Sequence, residues 1–158
     1  MTGSGMHEGA IVSGRGRRQA SSGRAHRFRA ECRQRLEGRP GEPVALEQAD
    51  AGRAPGSVEL IAVSKVQPLE RVQAVLEQGH RLFGENKVQE ARGKWPEFMS
   101  RFEGVSVHLI GPLQTNKARQ AMELFSAIHS VDRPKLATTI ARLAQEMGQC
   151  PDLFLQVN

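Results

Sequence analysis

The sequence predicts an α/β fold built on a parallel sheet of about five strands with four connecting helices. Three observations lead there. Apolar runs of strand length recur after residue 57, at 58–65, 81–86, 105–111, 127–131 and 152–157. Each of the first four is followed by a segment whose apolar residues repeat at helical spacing. The strand bodies are largely apolar rather than strictly alternating, the pattern of strands covered on both faces. A strand and a helix in regular succession require crossover connections, and crossovers make neighbouring strands parallel.

The first run, Val58-Glu59-Leu60-Ile61-Ala62-Val63-Ser64-Lys65, is rich in β-formers. Pro68 then opens a helix that carries Leu69, Val72, Val75 and Leu76 on one face and stops at Gly79. Arg81 to Asn86 is a short second strand with a polar end. Val88, Ala91, Trp95, Phe98 and Phe102 keep a helical period, which Gly93 and Pro96 are expected to kink or divide into two short helices. Val105 to Gly111 is the third strand. A helix capped by Thr115 or Asn116 follows and runs to Phe125. Ala127 to Val131 is the fourth strand, and Asp132 is the expected N-cap of a helix with Pro134 at its start. Leu136, Ile140, Leu143 and Met147 form that helix's apolar face, and Gly148 ends it. Asp152 to Val157 is the fifth strand.

Before residue 57 the character differs. Residues 1–57 hold 10 of the 22 basic residues, all Arg, and 6 of the 17 acidic ones, with 10 of the 16 glycines. The net charge of +5 therefore sits mostly in this part, and the rest is nearly neutral. No hydrophobic period persists there for more than a turn, so residues 1–56 are expected to be an Arg/Gly-rich, poorly ordered segment, with short helices at 25–37 and 44–51. Such a basic arm could contact nucleic-acid phosphates, but it lacks interleaved aromatics and the chain contains no Tyr, which argues against a stacking platform. No run reaches the roughly 18 apolar residues of a membrane span, and no apolar signal-peptide core follows Met1. Cys32 and Cys150 have no partner spacing and read as reduced thiols of a cytoplasmic protein. The five histidines lack metal-ligand spacing, so no metal site is expected. At 158 residues the chain is also shorter than the roughly 200 of a complete (β/α)₈ barrel.

Ligands of parallel α/β folds bind at the carboxyl ends of the strands. Those ends read Ser64-Lys65, Glu85-Asn86, Gly111 with Gln114-Thr115-Asn116, Ser130 with Asp132, and Gln156 to Asn158. Lys65 is the sharpest of these residues. Alternation places it on the face of Ile61 and Val63, where desolvation would leave its amine free to attack an aldehyde. The plainer reading is a lysine that reaches from a strand end into water. Thr115-Asn116-Lys117 at a helix start suits either a phosphate or simple capping. The nucleotide-binding patterns GxxxxGK[ST] and GxGxxG after a strand are absent, and so is the GxSxG elbow of hydrolases.

Five ordered motifs carry a more specific signal. They are Leu60-Ile61-Ala62-Val63-Ser64-Lys65, Phe83-Gly84-Glu85-Asn86-Lys87-Val88-Gln89-Glu90, and His108 through Lys117 (HLIGPLQTNK), then His129-Ser130-Val131-Asp132 and Leu155-Gln156-Val157-Asn158. From about Ala51 to Asn158 the chain closely resembles the pyridoxal phosphate homeostasis protein family, the YggS/PROSC family of proteins that bind pyridoxal 5′-phosphate (PLP). The resemblance implies a partial TIM barrel of the fold-type III PLP proteins, similar to the barrel of alanine racemase. It makes Lys65 the residue that forms a Schiff base with PLP and Asn86 a contact of the cofactor. It further implies intracellular PLP (vitamin B6) homeostasis without established catalytic turnover, with PLP-dependent apo-enzymes as acceptors. Gln67 stands where the family often has a second Lys, and residues 1–50 match nothing recognisable in it. The barrel domain is expected to span residues 57–158 and to stop after its fifth strand, short of the family's phosphate-holding segment. A non-functional truncated copy and a basic-arm nucleic-acid-binding protein are the alternatives.

Overall fold

The protein is described by a computed structural model that covers residues 11–13, 48, 50–54 and 56–157. Its elements run β1 (Ile11–Ser13), β2 (Glu59–Val63), α1 (Leu69–Glu77), β3 (Leu82–Glu85), α2 (Val88–Arg101), β4 (Ser106–Leu109), a 3₁₀ turn (Thr115–Lys117), α3 (Ala118–Leu124), β5 (Ala127–Val131), α4 (Pro134–Met147) and β6 (Asp152–Leu155). The strands lie side by side in chain order, and β2 to β6 are parallel.

One buried cluster joins helices α1 to α4 to the sheet: Leu76 of α1, Trp95 of α2, Ala121 of α3 and Ile140 of α4 meet Phe83, Val107, Leu109 and Ile128. The helices therefore cover a single face. Sequential strand order with all helices on one face is the winding of a barrel, whereas a doubly wound sheet has helices on both faces. The five parallel strands and helices α1 to α4 are thus part of a TIM-type barrel, an α/β fold as the alternation predicts and a barrel as the resemblance implies.

The structure corrects several local expectations. Helix α2 runs unbroken from Val88 to Arg101 with Pro96 inside it, instead of dividing. Pro96 forfeits one bond of the helical ladder. However, Trp95 and Phe98 on either side are both buried and hold the two halves against one core. Neither Thr115 nor Asn116 caps a helix: both lie in the 3₁₀ turn, and no side chain bonds its amides. Thr115 Oγ1 instead accepts a hydrogen bond from Arg133 Nη2 at 3.3 Å. Asp132 is displaced as N-cap by Arg133, with whose guanidinium it pairs. Pro134 does open α4, and Gly148 ends it at φ 67°, in the left-handed region that glycine enters freely.

The strand β1 is an addition that no periodicity announced. It pairs antiparallel with β2, Ile11 opposite Ile61 and Ser13 opposite Glu59, and covers a backbone edge that β2 would otherwise present. Gln48 and Asp50 are helical, inside the segment expected at 44–51. Gln48 is buried and ties that segment to the sheet, donating to the Val58 carbonyl at 2.9 Å. The helix expected at 25–37 lies outside the described residues.

Candidate functional site

The carboxyl ends of β2, β3 and β4 are brought together by backbone contacts. Ser64 N–H donates to the Gly84 carbonyl at 3.0 Å, and Ile110 N–H donates to the Glu85 carbonyl at 2.8 Å. Gly111 lies against Asn86 so closely that an added Cβ would stand 2.3 Å from the Asn86 carbonyl oxygen. Gly84 faces Ile61 and Ile110 on the side away from the helices, where a Cβ would come within 2.9 Å of Ile61. The polar ends of three strands therefore converge on one rim, with Lys65, Asn86 and Gly111 on adjacent loops.

Lys65 departs from the expected desolvated amine. Strand β2 ends at Val63, Lys65 sits two residues further in a turn, and its side chain is exposed. Among the described residues its ammonium has no side-chain partner. The residue after it, Val66, has φ 60°. That conformation is a genuine outlier for a β-branched residue, because its Cβ crowds the following carbonyl at a cost of about 1–2 kcal/mol.

Beneath this turn lies a charged group that the strand-end reading did not single out. Glu85 is fully buried, and its Oε1 accepts three hydrogen bonds: from Ser64 Oγ at 2.8 Å, Lys94 Nζ at 2.9 Å and Trp95 Nε1 at 3.0 Å. Lys94, also buried, donates a second bond to the Ser64 carbonyl at 2.8 Å. It lies 3.5 Å from Glu90, whose Oε1 accepts the Val66 N–H at 2.6 Å. The sequence held one signal for this arrangement: Lys94 stands beside Trp95 on the inward face of α2, where a lysine needs an anion.

The face away from the helices carries His108 on β4 and His129 on β5. Their rings approach to 3.1 Å between Nδ1 of His108 and Nε2 of His129, and Phe154 stacks on His129 at 4.3 Å. The two residues are 21 positions apart, so linear spacing hid the pair. Burial holds both pKa values below 6.5; for His108 the neighbouring His129 lowers it further, and Glu59 and Asp152 oppose the shift. His80, bonded to the Leu82 carbonyl, is lowered as well. A histidine whose folded pKa is depressed contributes stability above the unfolded value, and loses it as pH falls through the folded one. Stability is therefore expected to decline as pH falls from about 7 through the usual histidine value of 6.5 and below it. The His108→Gln/His129→Gln variant should decline less over the same range in urea titrations. Equal losses would mean that the pair takes up protons as readily in the folded protein as in the unfolded chain.

Among the described residues no cluster of three His, Cys, Asp or Glu could hold a metal. Thr115-Asn116-Lys117 leads into a helix of only seven residues, so the phosphate reading of that helix start finds no support. A cavity lined by Val105, Phe125, Ser126, Cys150 and Pro151 lies at the amino-terminal ends of β4 to β6, the opposite end from the rim. No helix of the described residues is long and apolar enough to cross a membrane.

A singly wound parallel barrel segment with a lysine just past its first parallel strand is the class that fold and rim define. No family model matches the chain. It is, however, 39% identical over 103 residues to the pyridoxal phosphate homeostasis protein of Synechocystis, and 41% identical over 120 residues to that of Escherichia coli K12. These matches take in 65% and 74% of this chain, but 47% and 50% of the relatives. The chain thus spans about half the length of the curated relatives it matches. Among solved structures it is similar to PipY of Synechococcus elongatus with PLP bound, at 45% identity and a TM-score of 0.62, over 73% of this chain and 54% of that one. A structure from Bifidobacterium adolescentis described as an unknown protein gives the same TM-score at 26% identity, over 87% of this chain and 57% of that one. The chain that carries the five motifs is thus similar in sequence to curated pyridoxal phosphate homeostasis proteins and in fold to PipY.

Proposed function

We propose that this chain binds PLP at the carboxyl ends of its parallel strands and serves vitamin B6 homeostasis in the cytoplasm, with apo-enzymes as acceptors. When bound, the cofactor presents an aldehyde, which an amine can capture reversibly, and a phosphate. Lys65 is the residue proposed to form the Schiff base, and Asn86, on the neighbouring strand end, the contact beside it. The observation that supports this most is the position of Lys65: an exposed amine with no side-chain partner among the described residues, at the rim where ligands of such folds bind. The similarity to PipY, solved with PLP bound, agrees with it. An ion-paired lysine would have to surrender its partner before reacting; among the described residues this one has none to surrender. Residues 57–158 are proposed as the unit that does this, with residues 1–56 outside it.

Incubation with PLP followed by borohydride reduction tests the reading. The expected result is a single covalent label on the peptide that contains Lys65, absent from Lys65→Ala. Labels of equal yield in both proteins, or none in the unaltered chain, would overturn it.

A further inference from the structure

We infer that Glu90, with Lys94 and Glu85, is the apparatus that positions Lys65: it fixes the backbone on both sides of the lysine while leaving the side chain free. The inference rests on the reading of Lys65 as the residue that captures the cofactor.

Each neighbour of Lys65 is held by α2 or β3. On the amino side, Ser64 is engaged at all three of its polar groups. Its N–H donates to the Gly84 carbonyl at 3.0 Å, its hydroxyl to Glu85 Oε1 at 2.8 Å, and its carbonyl accepts from Lys94 Nζ at 2.8 Å. On the carboxyl side, the Val66 N–H donates to Glu90 Oε1 at 2.6 Å, and Gln67 N–H closes the turn onto the Ser64 carbonyl at 3.2 Å. Lys94 joins the two sides, lying 2.9 Å from Glu85 and 3.5 Å from Glu90. Val66 is exposed and has φ 60°, so neither packing nor intrinsic preference holds it there. Two interactions do: the Gln67–Ser64 bond that closes the turn, and the bond from the Val66 N–H to the Glu90 carboxylate, the one that comes from outside the turn. A strained residue kept by its surroundings beside a reacting group is a recurring feature of functional sites.

The consequence is chemical. For capture, the Lys65 amine gives up its proton to solvent and adds to the aldehyde carbon, and one water is expelled as the C–N double bond forms. That sequence needs the nitrogen held at the carbonyl, and a lysine on a loose turn reaches the position only part of the time. Neither Glu90 nor Lys94 bonds the Lys65 amine; they act through the backbone of Val66 and Ser64.

Three measurements on the full chain test this. In Glu90→Ala, amide hydrogen exchange at Val66 and the rate of borohydride-trapped capture of PLP should change by about tenfold, exchange faster and capture slower. Affinity for pyridoxine 5′-phosphate, which has no aldehyde, should stay within about twofold, because non-covalent binding does not need the amine placed. Glu90→Gln keeps an oxygen that can accept the Val66 N–H and should restore most of both rates. The positioning role is overturned if Glu90→Ala leaves Val66 exchange unchanged, if capture and pyridoxine 5′-phosphate affinity fall together, or if Glu90→Gln behaves as Glu90→Ala. If the unaltered chain captures no PLP, the cofactor reading fails separately. Val66 exchange and the rate at which trinitrobenzenesulfonate modifies Lys65 then decide the positioning role alone. A change in both on going to Glu90→Ala supports it, and no change in either removes it.

Discussion

Lys94→Met is expected to destabilise the protein by about 3–5 kcal/mol, the cost of leaving a buried charge without its counter-ion. Glu85 is fully buried and Lys94 is 7% exposed, so solvent screens neither. In the variant, Ser64 and Trp95 still donate to Oε1, but two neutral hydrogen bonds do not offset a buried carboxylate, and Oε2 is already buried without a hydrogen-bond partner. The Ser64 carbonyl loses a donor in the same step. Glu85→Gln in the Lys94→Met background removes the charge that causes the penalty, and should recover a large share of the loss. Urea midpoints of the four proteins in this cycle measure the coupling. A loss below about 1 kcal/mol in Lys94→Met, the level of an exposed ion pair, would show that the pair is not the buried one described.

The buried pair also marks where sequence reading stopped. Strands β2 to β6 and helices α1 to α4 were legible, because the strand bodies are largely apolar, even in β6, which has no buried residue, and a helix on a sheet shows its 3.6-residue stripe. The rim was legible for the complementary reason: polarity begins abruptly at Ser64, Asn86 and Gly111. Pairings formed by folding were not legible. Glu85 read as one of the polar strand ends, Lys94 was not singled out, and His108 and His129 read as scattered histidines. Whether Lys65 is covered depends on what surrounds the rim, which no local pattern encodes. The expected caps failed by competition: Asp132 found an arginine, and the Thr115 hydroxyl found Arg133 rather than a helix amide. Strand β1 depends on a partner nearly fifty residues away, and its three residues carry no periodicity of their own.

Gly111→Ala is expected to cost about 3 kcal/mol, the upper part of the range for forced overpacking, although it adds a single methyl group. Its Cβ would lie 2.3 Å from the Asn86 carbonyl oxygen, 2.7 Å from Asn86 Cα and 2.9 Å from the Asn86 carbonyl carbon. All three are backbone atoms, so no rotamer change relieves the overlap. The loop after β4 must move away from the end of β3, and the Ile110 N–H bond to the Glu85 carbonyl must stretch with it. Two other glycines separate this cause from the general effects of glycine. Gly84→Ala meets the Ile61 and Ile110 side chains at 2.9 and 3.0 Å, which can yield a few tenths of an ångström, and should cost less. Gly93, inside α2 with nothing within 4 Å, should gain about 0.5–1 kcal/mol as Ala through helix propensity. The order Gly93→Ala, unaltered chain, Gly84→Ala, Gly111→Ala, from most to least stable in urea, follows from what each new methyl touches. Because Asn86 moves with the loop in Gly111→Ala, capture of PLP should weaken, while labelling of Lys65 by trinitrobenzenesulfonate should not: the turn that carries Lys65 is tied to Glu85, Glu90 and Lys94 through their side chains, not to Gly111. A Gly111→Ala protein as stable as the unaltered chain would mean that the ends of β3 and β4 are not held in contact, and that Asn86 has no fixed place beside Lys65.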